Sequence, residues 1–309
     1  MLDVRRRFAA ATAAALAVVV SGCGGGAERA AEPRDDNTRP YVADAAFPSA
    51  MAPRPDGGLL YGERLTGRVR RVTADGALEP LPVAQVQVST DGQRGLVGLA
   101  VDDGGRVFAS WTDRERRLVV AQVAPGPIRP VWDGPPTTEL ANGGRLAFAP
   151  DEALVIGIGD LQDPALVDDP DAVNGKLLRL DADGPPSQTP AVISAGWNNP
   201  FAFTFTPTGE LWVADNSPGA DPERLTRGDR AGPVTELPDQ TAPSGLAAPE
   251  PDELLVCGYV SGDLTRYEVR DGRAERADTV TAECQLGVTV LADGRVVVAT
   301  ETAILLVVD

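Results

Sequence analysis

The sequence predicts an all-β protein folded as a single six-bladed β-propeller. One observation is a unit of a tight turn followed by a β-rich run, which recurs six times and is centred on Gly58, Gly105, Glu152, Gly209, Glu253 and Gly294. The spacings between these centres are 47, 47, 57, 44 and 41 residues, the length of one four-stranded propeller blade. The second observation is that no helical periodicity of 10–15 residues separates the units, which argues against alternating strands and helices.

The composition supports a large core and excludes several classes of function. Hydrophobic residues make up 43% of the 309 residues, so a disordered chain is not expected. The net charge of −17 disfavours nucleic acid as a partner. Histidine is absent from the chain, so neither a Ser-His-Asp arrangement nor a histidine metal site can form. Any general base must therefore be Asp, Glu, Lys or Tyr.

Residues 1–22 resemble a bacterial lipoprotein signal peptide. Arginines at positions 5–7 precede an apolar run at 8–20 that is too short to span a bilayer as a stable helix. The sequence Val-Ser-Gly-Cys at 20–23 resembles a lipobox, which makes Cys23 the expected lipidation site. We therefore expect a protein anchored by lipid to the extracytoplasmic face of the cell membrane, with a plain secretory signal as the alternative.

The remaining chain is expected to contain a flexible tether and one propeller. Residues 23–45 are small, charged and proline-containing, which is typical of a linker, and residues 46–309 would form a monomeric propeller. The last repeat is one strand short. A strand at about residues 41–47 is expected to pair there and close the ring, since closure removes exposed sheet edges.

Two cysteines remain once Cys23 is assigned to lipid modification. Cys257 and Cys284 form an even pair in an oxidising compartment, so a disulfide between them is expected. Two buried free thiols are the alternative.

Several motifs succeed one another along the chain in a recognisable order. Leu-Leu-Tyr-Gly-Glu-Arg at 59–64, Gln-Arg-Gly-Leu-Val-Gly-Leu-Ala at 93–100 and Ala-Asn-Gly-Gly-Arg-Leu-Ala-Phe-Ala-Pro at 141–150 come first. Gly-Ile-Gly-Asp at 157–160, Asn-Gly-Lys-Leu-Leu-Arg-Leu-Asp at 174–181 and Gly-Trp-Asn-Asn-Pro at 196–200 follow. Together they resemble the glucose/sorbosone dehydrogenase family, six-bladed propellers that oxidise sugars with pyrroloquinoline quinone (PQQ) and calcium.

The resemblance implies a set of site positions, of which only some hold the family's residue type. Gln93 and Asn199 would face the cofactor, and Asp160 would orient the catalytic base. The base itself is a histidine in the family, and that position holds Ala141. The arginine of the family's His-Arg-Asn-Pro motif is replaced by Asn198.

Three further cation positions and the calcium site follow from the same resemblance. Two arginines before the last turn fall at Cys284 and Leu286, and a fifth-blade lysine falls near Val260. Calcium ligands that include backbone oxygens would lie around Ser217 and Pro218. Burying a cofactor with three carboxylates without those cations would leave its charges unpaired.

We therefore expect a propeller that has lost its redox chemistry and acts as a binding or accessory domain, with no cofactor. Its partner would be a small molecule, a carbohydrate or a protein. The alternative is a PQQ-dependent aldose dehydrogenase that uses PQQ and calcium.

Three other hypotheses rest on local patterns. Asn-Pro-Phe-Ala-Phe at 199–203 and Leu-Trp-Val-Ala-Asp at 211–215 are similar to a run in calcium-dependent lactonases of the gluconolactonase type. The aspartates between 160 and 171 form either a calcium site or a solvated loop. The tryptophans supply either contact surface or packing between blades, at positions Trp111, Trp132, Trp197 and Trp212.

Overall fold

A computed structural model describes residues 37–217 and 221–308. The expected signal peptide, the lipidation site Cys23 and most of the expected tether lie outside these residues, as does Pro218. None of the helices that the structure describes is long and apolar enough to cross a membrane.

The first three blades are four-stranded antiparallel sheets whose strands follow one another in chain order. Blade 1 consists of β2 (Pro48–Pro53), β3 (Leu59–Glu63), β4 (Arg68–Val72) and β5 (Ala84–Gln85). Blade 2 consists of β6 (Leu96–Val101), β7 (Val107–Thr112), β8 (Arg117–Ala124) and β9 (Arg129–Pro136). Blade 3 consists of β10 (Leu146–Phe148), β11 (Leu154–Ile158), β12 (Lys176–Leu180) and β13 (Ala191–Ala195).

The second half of the ring repeats this order and then closes on the first described strand. Blade 4 consists of β14 (Ala202–Phe205), β15 (Leu211–Asp215), β16 (Arg224–Arg227) and β17 (Thr235–Glu236). Blade 5 consists of β18 (Pro243–Glu250), β19 (Glu253–Gly258), β20 (Leu264–Arg270) and β21 (Arg273–Thr281). Blade 6 consists of β22 (Gly287–Val290), β23 (Val296–Ala299), β24 (Ile304–Val307) and, at its outer edge, β1 (Thr38–Val42). The predicted all-β, six-bladed propeller is confirmed.

The sequence repeat follows from the turn between the first two strands of each blade. In five of the six blades, all but blade 5, that turn contains a residue in the left-handed region, with φ of +83° at Gly57, +78° at Gly105, +90° at Gly209 and +85° at Gly294. Glycine has no Cβ and adopts this conformation readily. Glu152 takes the same conformation in blade 3, with φ of +62°. The second strand then lies inside the blade stack, so β3 and β11 are buried along their whole length.

The closing strand corrects the expected domain boundary. β1 pairs with β24, with Thr38 opposite Val307 and Val42 opposite Ile304. It therefore ends where the expected strand at 41–47 would begin, and the propeller starts near residue 38 rather than 46. The reason is that β1 is an edge strand, of which only Val42 is buried, so it carries little hydrophobic alternation.

The four tryptophans are packing residues. All four side chains are buried, and Trp197 Nε1 donates to Ser194 Oγ at 2.8 Å. Trp132 belongs to the core shared by blades 2 and 3, and Trp212 to the core shared by blades 4 and 5. The hypothesis that they supply an exposed contact surface is wrong, because their rings fill the space within and between blades.

The longest interval between repeats is an insertion between β11 and β12. It contains a 3-10 turn at Pro164–Leu166 and is tied down by buried Lys176. The Lys176 ammonium donates to the carbonyls of Val167, Asp169 and Asn174 at 3.2, 2.9 and 3.2 Å. The ammonium of this lysine is therefore hydrogen-bonded within the insertion.

Candidate functional site

The inner ends of all six blades surround a cavity of about 430 Å³, which we call the funnel cavity. Its walls combine a few polar groups with a larger apolar surface. The lining residues are Phe47, Ser49, Arg64, Gly92, Gln93, Val97, Asn142, Gly143, Asn199, Phe201, Asn216, Ala242, Pro243, Ser244, Tyr259, Val260 and Leu286. A concave, mostly apolar pocket with few polar groups is typical of a small-molecule site.

The segment at 141–143 contributes Asn142 and Gly143 to the cavity wall and is held by two side-chain amides. Gln93 Oε1 accepts a hydrogen bond from the Ala141 N–H at 2.8 Å, and Asn199 Oδ1 accepts one from the Gly143 N–H at 3.1 Å. The structure thus brings together the two residues expected to face a cofactor. Both carboxamide oxygens are engaged with the segment that carries Ala141.

Ala141 directly precedes the lining residues Asn142 and Gly143, and its methyl group cannot accept a proton. Its backbone is left-handed, with φ of +54°. The segment packs closely against Gly159, where a Cβ would lie 2.0 Å from the Ala141 carbonyl oxygen. The blade geometry therefore requires a glycine at 159, while position 141 contributes only a methyl group.

Asp160 is buried and points toward Asn198 rather than into the funnel cavity. Its Oδ1 accepts the Gln162 N–H at 2.8 Å, and its Oδ2 accepts the Asn198 Nδ2 at 2.7 Å. Burial raises the pKa of this carboxyl above its usual value, although the two hydrogen bonds oppose the rise. Asn198 therefore stands where the resemblance expects an arginine and is a partner of Asp160.

Asp215, the carboxylate of the lactonase-like run, is engaged with the protein. It accepts the backbone N–H of Asn198 at 3.1 Å and that of Asn199 at 2.8 Å, and it pairs with Arg224. Since Asp215 is fully buried, this carboxylate organises the turn before β14. Among the residues at 37–217 and 221–308, no group of three or more Asp, Glu, Cys or His side chains could hold a metal ion.

Several described residues at the expected calcium positions are engaged in hydrogen bonds within the chain. Ser217 Oγ donates to the Pro222 carbonyl at 2.9 Å, and Pro218 lies outside the described residues. The aspartates between 160 and 171 do not converge on one point. Asp160 accepts from Asn198, whereas Asp169 Oδ1 accepts the Asp171 N–H within a local turn.

The three expected cation positions hold apolar or bonded side chains. Val260 and Leu286 line the funnel cavity. Cys284 is buried and forms a disulfide with Cys257, with the Cα atoms 5.4 Å apart. The bond ties β19 of blade 5 to the segment before β22 of blade 6.

A cation that sequence reasoning did not single out lines the cavity instead. Arg64 donates from Nε to the Arg94 carbonyl at 2.9 Å and from Nη2 to the Gly92 carbonyl. Its guanidinium lies over the Phe47 ring, 5.0 Å from the centroid. It belongs to the Leu-Leu-Tyr-Gly-Glu-Arg motif, but its role depends on carbonyls from the segment leading into blade 2, which no local pattern reveals.

A second arginine, Arg145, lies deeper along the propeller axis. It donates to the carbonyls of Ser49 at 3.1 Å and Ser244 at 2.6 Å, and it stacks on Phe201 at 4.4 Å. These contacts join blades 1, 3, 4 and 5. Desolvation lowers the pKa of Arg145 to about 10, a value at which it stays protonated at neutral pH. Arg145 also lines a second cavity of about 260 Å³, which lies farther along the inner strands.

The described cavity wall does not fit PQQ. The cofactor carries three carboxylates, and Arg64 is the one cationic side chain among the lining residues that the structure describes. The remaining polar lining consists of amides, hydroxyls and a phenol. Two or more carboxylates would be left without a charged partner in a largely apolar cavity.

The chain is similar in sequence and fold to sugar dehydrogenases. The family profile Glucose / Sorbosone dehydrogenase matches residues 45–223. A solved protein of Thermus thermophilus, described as an oxidoreductase (glucose dehydrogenase), is 26% identical with a TM-score of 0.73, covering 88% of this chain and 99% of its own. The PQQ-bound aldose sugar dehydrogenase of Streptomyces coelicolor is 23% identical with a TM-score of 0.73, covering 87% and 96%.

A curated relative extends the comparison only partly. An uncharacterized protein of Synechocystis sp. is 26% identical over an aligned length of 231, and the match covers 59% of this chain. The match spans 55% of that relative's own length.

Proposed function

The chain belongs to the glucose/sorbosone dehydrogenase family, and we propose that it uses the family's funnel to bind a ligand without oxidising it. The observation that carries the proposal is Ala141, whose methyl group stands at the position of the family's base. Oxidation of an alcohol needs a group that removes the hydroxyl proton and a hydride acceptor held in place.

The other funnel residues do not replace that base. Arg64 stays protonated and donates only. The Tyr259 hydroxyl donates to Glu301 Oε1 at 3.3 Å, toward the exposed rim. Both carboxylate oxygens of Asp160 already accept hydrogen bonds, from the Gln162 N–H and the Asn198 amide. These contacts support a site that can bind and orient a ligand but has no group positioned to remove its proton.

The competing function is PQQ-dependent oxidation of aldoses, favoured by the retained Gln93 and Asp160. A titration of the purified protein with PQQ and calcium, followed by a dye-reduction assay with aldoses, separates the two functions. We expect no saturable micromolar binding and no sugar-dependent dye reduction. Micromolar binding with turnover would refute the proposal.

A lactonase would need a calcium ion and free carboxylates. Asp215 is paired with Arg224, so we expect no calcium-stimulated release of acid from gluconolactone above the rate in buffer. A calcium-dependent rate would reinstate that function.

We further propose that the propeller is held by lipid at the outer face of the cell membrane through Cys23. The support is the basic and apolar N-terminal segment followed by the lipobox-like sequence at 20–23. The test is the intact mass of the mature protein. A chain that begins at a diacylated or triacylated Cys23 is expected, and any other N-terminus contradicts the proposal.

A further inference from the structure

Three hydrogen-bond donors face the funnel cavity from fixed positions, and they point to the class of ligand. We propose that the cavity binds a compact, mainly apolar molecule with a single carboxylate, held by Arg64, Gln93 and Asn199. This inference rests on the proposed binding function and specifies its ligand.

The two amides are oriented by the backbone. Gln93 Oε1 and Asn199 Oδ1 each accept a backbone N–H from the 141–143 segment, so the opposite end of each amide is an NH₂ group. Neither Gln93 Nε2 nor Asn199 Nδ2 has a hydrogen-bond partner among the described residues. Since both residues line the cavity, their NH₂ groups are available to acceptor atoms of a ligand.

Arg64 adds a fixed positive charge to these donors. Its Nε and Nη2 are spent on the carbonyls of Arg94 and Gly92, the two neighbours of Gln93. The guanidinium is therefore held beside Gln93, and Nη1 has no partner among the described residues. No carboxylate of the described chain forms an ion pair with Arg64. A half-buried cation of this kind favours an anionic acceptor, because charge-assisted hydrogen bonds are roughly twice as strong as neutral ones.

Apart from the Asn216 amide and the Tyr259 hydroxyl, the rest of the cavity wall offers few polar groups to a ligand rich in hydroxyls. Phe47, Val97, Phe201, Pro243, Val260 and Leu286 present apolar surface. The hydroxyls of Ser49 and Ser244 donate to the carbonyls of Leu96 and Cys257. Sugar hydroxyls buried against the apolar part of this wall would lack hydrogen-bond partners, which is costly. An apolar body is therefore the better match.

Size and charge narrow the class further. A cavity of about 430 Å³ lies toward the small end of the usual range for small-molecule sites, which is roughly 300–1,000 Å³. One cation neutralises one carboxylate. A polyanion would bind poorly, because the described cavity wall has no further cation and the protein's net charge of −17 repels negative charge.

The test compares three probes that share one body and differ in the head group: 4-tert-butylbenzoate, 4-tert-butylbenzamide and 4-tert-butylbenzylamine. Isothermal titration of the purified protein is expected to give at least tenfold tighter binding of the carboxylate than of the amide, and the weakest binding for the amine. Arg64→Met is expected to abolish the tenfold preference. Arg68→Met, an exposed arginine on β4 outside the cavity, is the matched control and should retain it.

Arg64→Met also removes the hydrogen bonds to the carbonyls of Gly92 and Arg94, so a second variant tests the charge without removing these bonds. Val260→Asp adds a negative charge at an exposed position of the cavity wall and leaves the contacts of Arg64 intact. It is expected to weaken binding of the benzoate and strengthen that of the benzylamine.

The ligand assignment fails if the three head groups bind equally, if Arg64→Met keeps the preference, or if no probe binds more tightly than about 1 mM. These outcomes leave the proposed binding function standing. That function fails only on PQQ binding with turnover, so the two failures are distinguishable.

Discussion

At the scale of single residues, side-chain amides hold the segment that carries Ala141. Gln93 and Asn199 accept the backbone N–H groups of residues 141 and 143, and Asp160 accepts the Gln162 N–H nearby. Asp160 also accepts a hydrogen bond from the amide of Asn198. The side-chain and backbone groups that donate to this carboxylate are therefore neutral.

Restoring the base alone is not expected to restore activity. Ala141→His places an imidazole next to Asp160, but Val260 and Leu286 still offer no charge to the cofactor carboxylates. We expect no aldose-dependent dye reduction in the presence of PQQ and calcium. Measurable turnover by this single variant would show that the missing cations do not limit the chemistry.

The raised pKa of Asp160 predicts a pH-dependent substitution effect. Because burial raises this pKa above 3.8, the folded protein holds the proton more tightly than the unfolded chain. The contribution of Asp160 to stability is therefore present below pH 3.8 and lost as pH rises through the folded pKa. Asp160→Asn does not ionise, so its free energy of unfolding relative to the unmodified protein should rise between about pH 4 and pH 7.

Urea unfolding at several pH values measures this difference. Asp271→Asn, at an exposed aspartate in the turn between β20 and β21, controls for the change in net charge. A difference for Asp160→Asn that does not vary with pH would contradict the assignment of burial as the dominant cause.

At the scale of elements, two connections complete the ring. β1 supplies the outer strand of blade 6, and the Cys257–Cys284 disulfide ties blade 5 to blade 6. Without β1, the edge of β24 would expose unpaired N–H and carbonyl groups to pairing with other chains. Both connections lie where the ring is joined.

Deletion of the closing strand tests its contribution. A chain that starts at residue 43 lacks β1, whereas a chain that starts at residue 37 retains it and serves as the reference. We expect the shorter chain to melt roughly 10 °C lower or to aggregate, since a unit of this size loses about 2–4 °C per kcal/mol. Equal Tm values would mean that β1 contributes little to closure.

Removal of the disulfide is expected to lower stability measurably. The bond closes a 27-residue interval, for which chain entropy gives a stabilisation of about 3–4 kcal/mol. The double variant Cys257→Ser, Cys284→Ser should show this loss in urea unfolding. A reductant should lower the unmodified protein to the same level and leave the variant unchanged; a variant as stable as the parent would contradict the estimate.

At the scale of the whole molecule, the repeat predicts the architecture because each blade has a short turn followed by a largely buried second strand, and in five of the six blades that turn contains a left-handed residue. The six centres at Gly58 to Gly294 therefore mark six blades. The expected closing strand lies a few residues later than β1, because an edge strand such as Thr-Arg-Pro-Tyr-Val has little hydrophobic alternation.

The funnel is only partly predictable from the sequence. Gln93, Asn199, Val260 and Leu286 follow from motif order, since each occupies a fixed place in a blade. Arg64 and Arg145 do not, because their partners come from other blades and are distant in sequence. Arg145 joins four blades through contacts that only the closed ring creates.

A single-turnover experiment distinguishes binding from oxidation in the funnel. The protein is mixed with stoichiometric PQQ and calcium, an excess of aldose is added, and the absorbance of the quinone is followed without any dye. The aldose sugar dehydrogenase of Streptomyces coelicolor serves as the positive control. A funnel that binds without oxidising predicts no reduction of the quinone above the rate without protein. Stoichiometric, sugar-dependent reduction of the quinone would contradict this prediction and show that the protein is a sugar dehydrogenase.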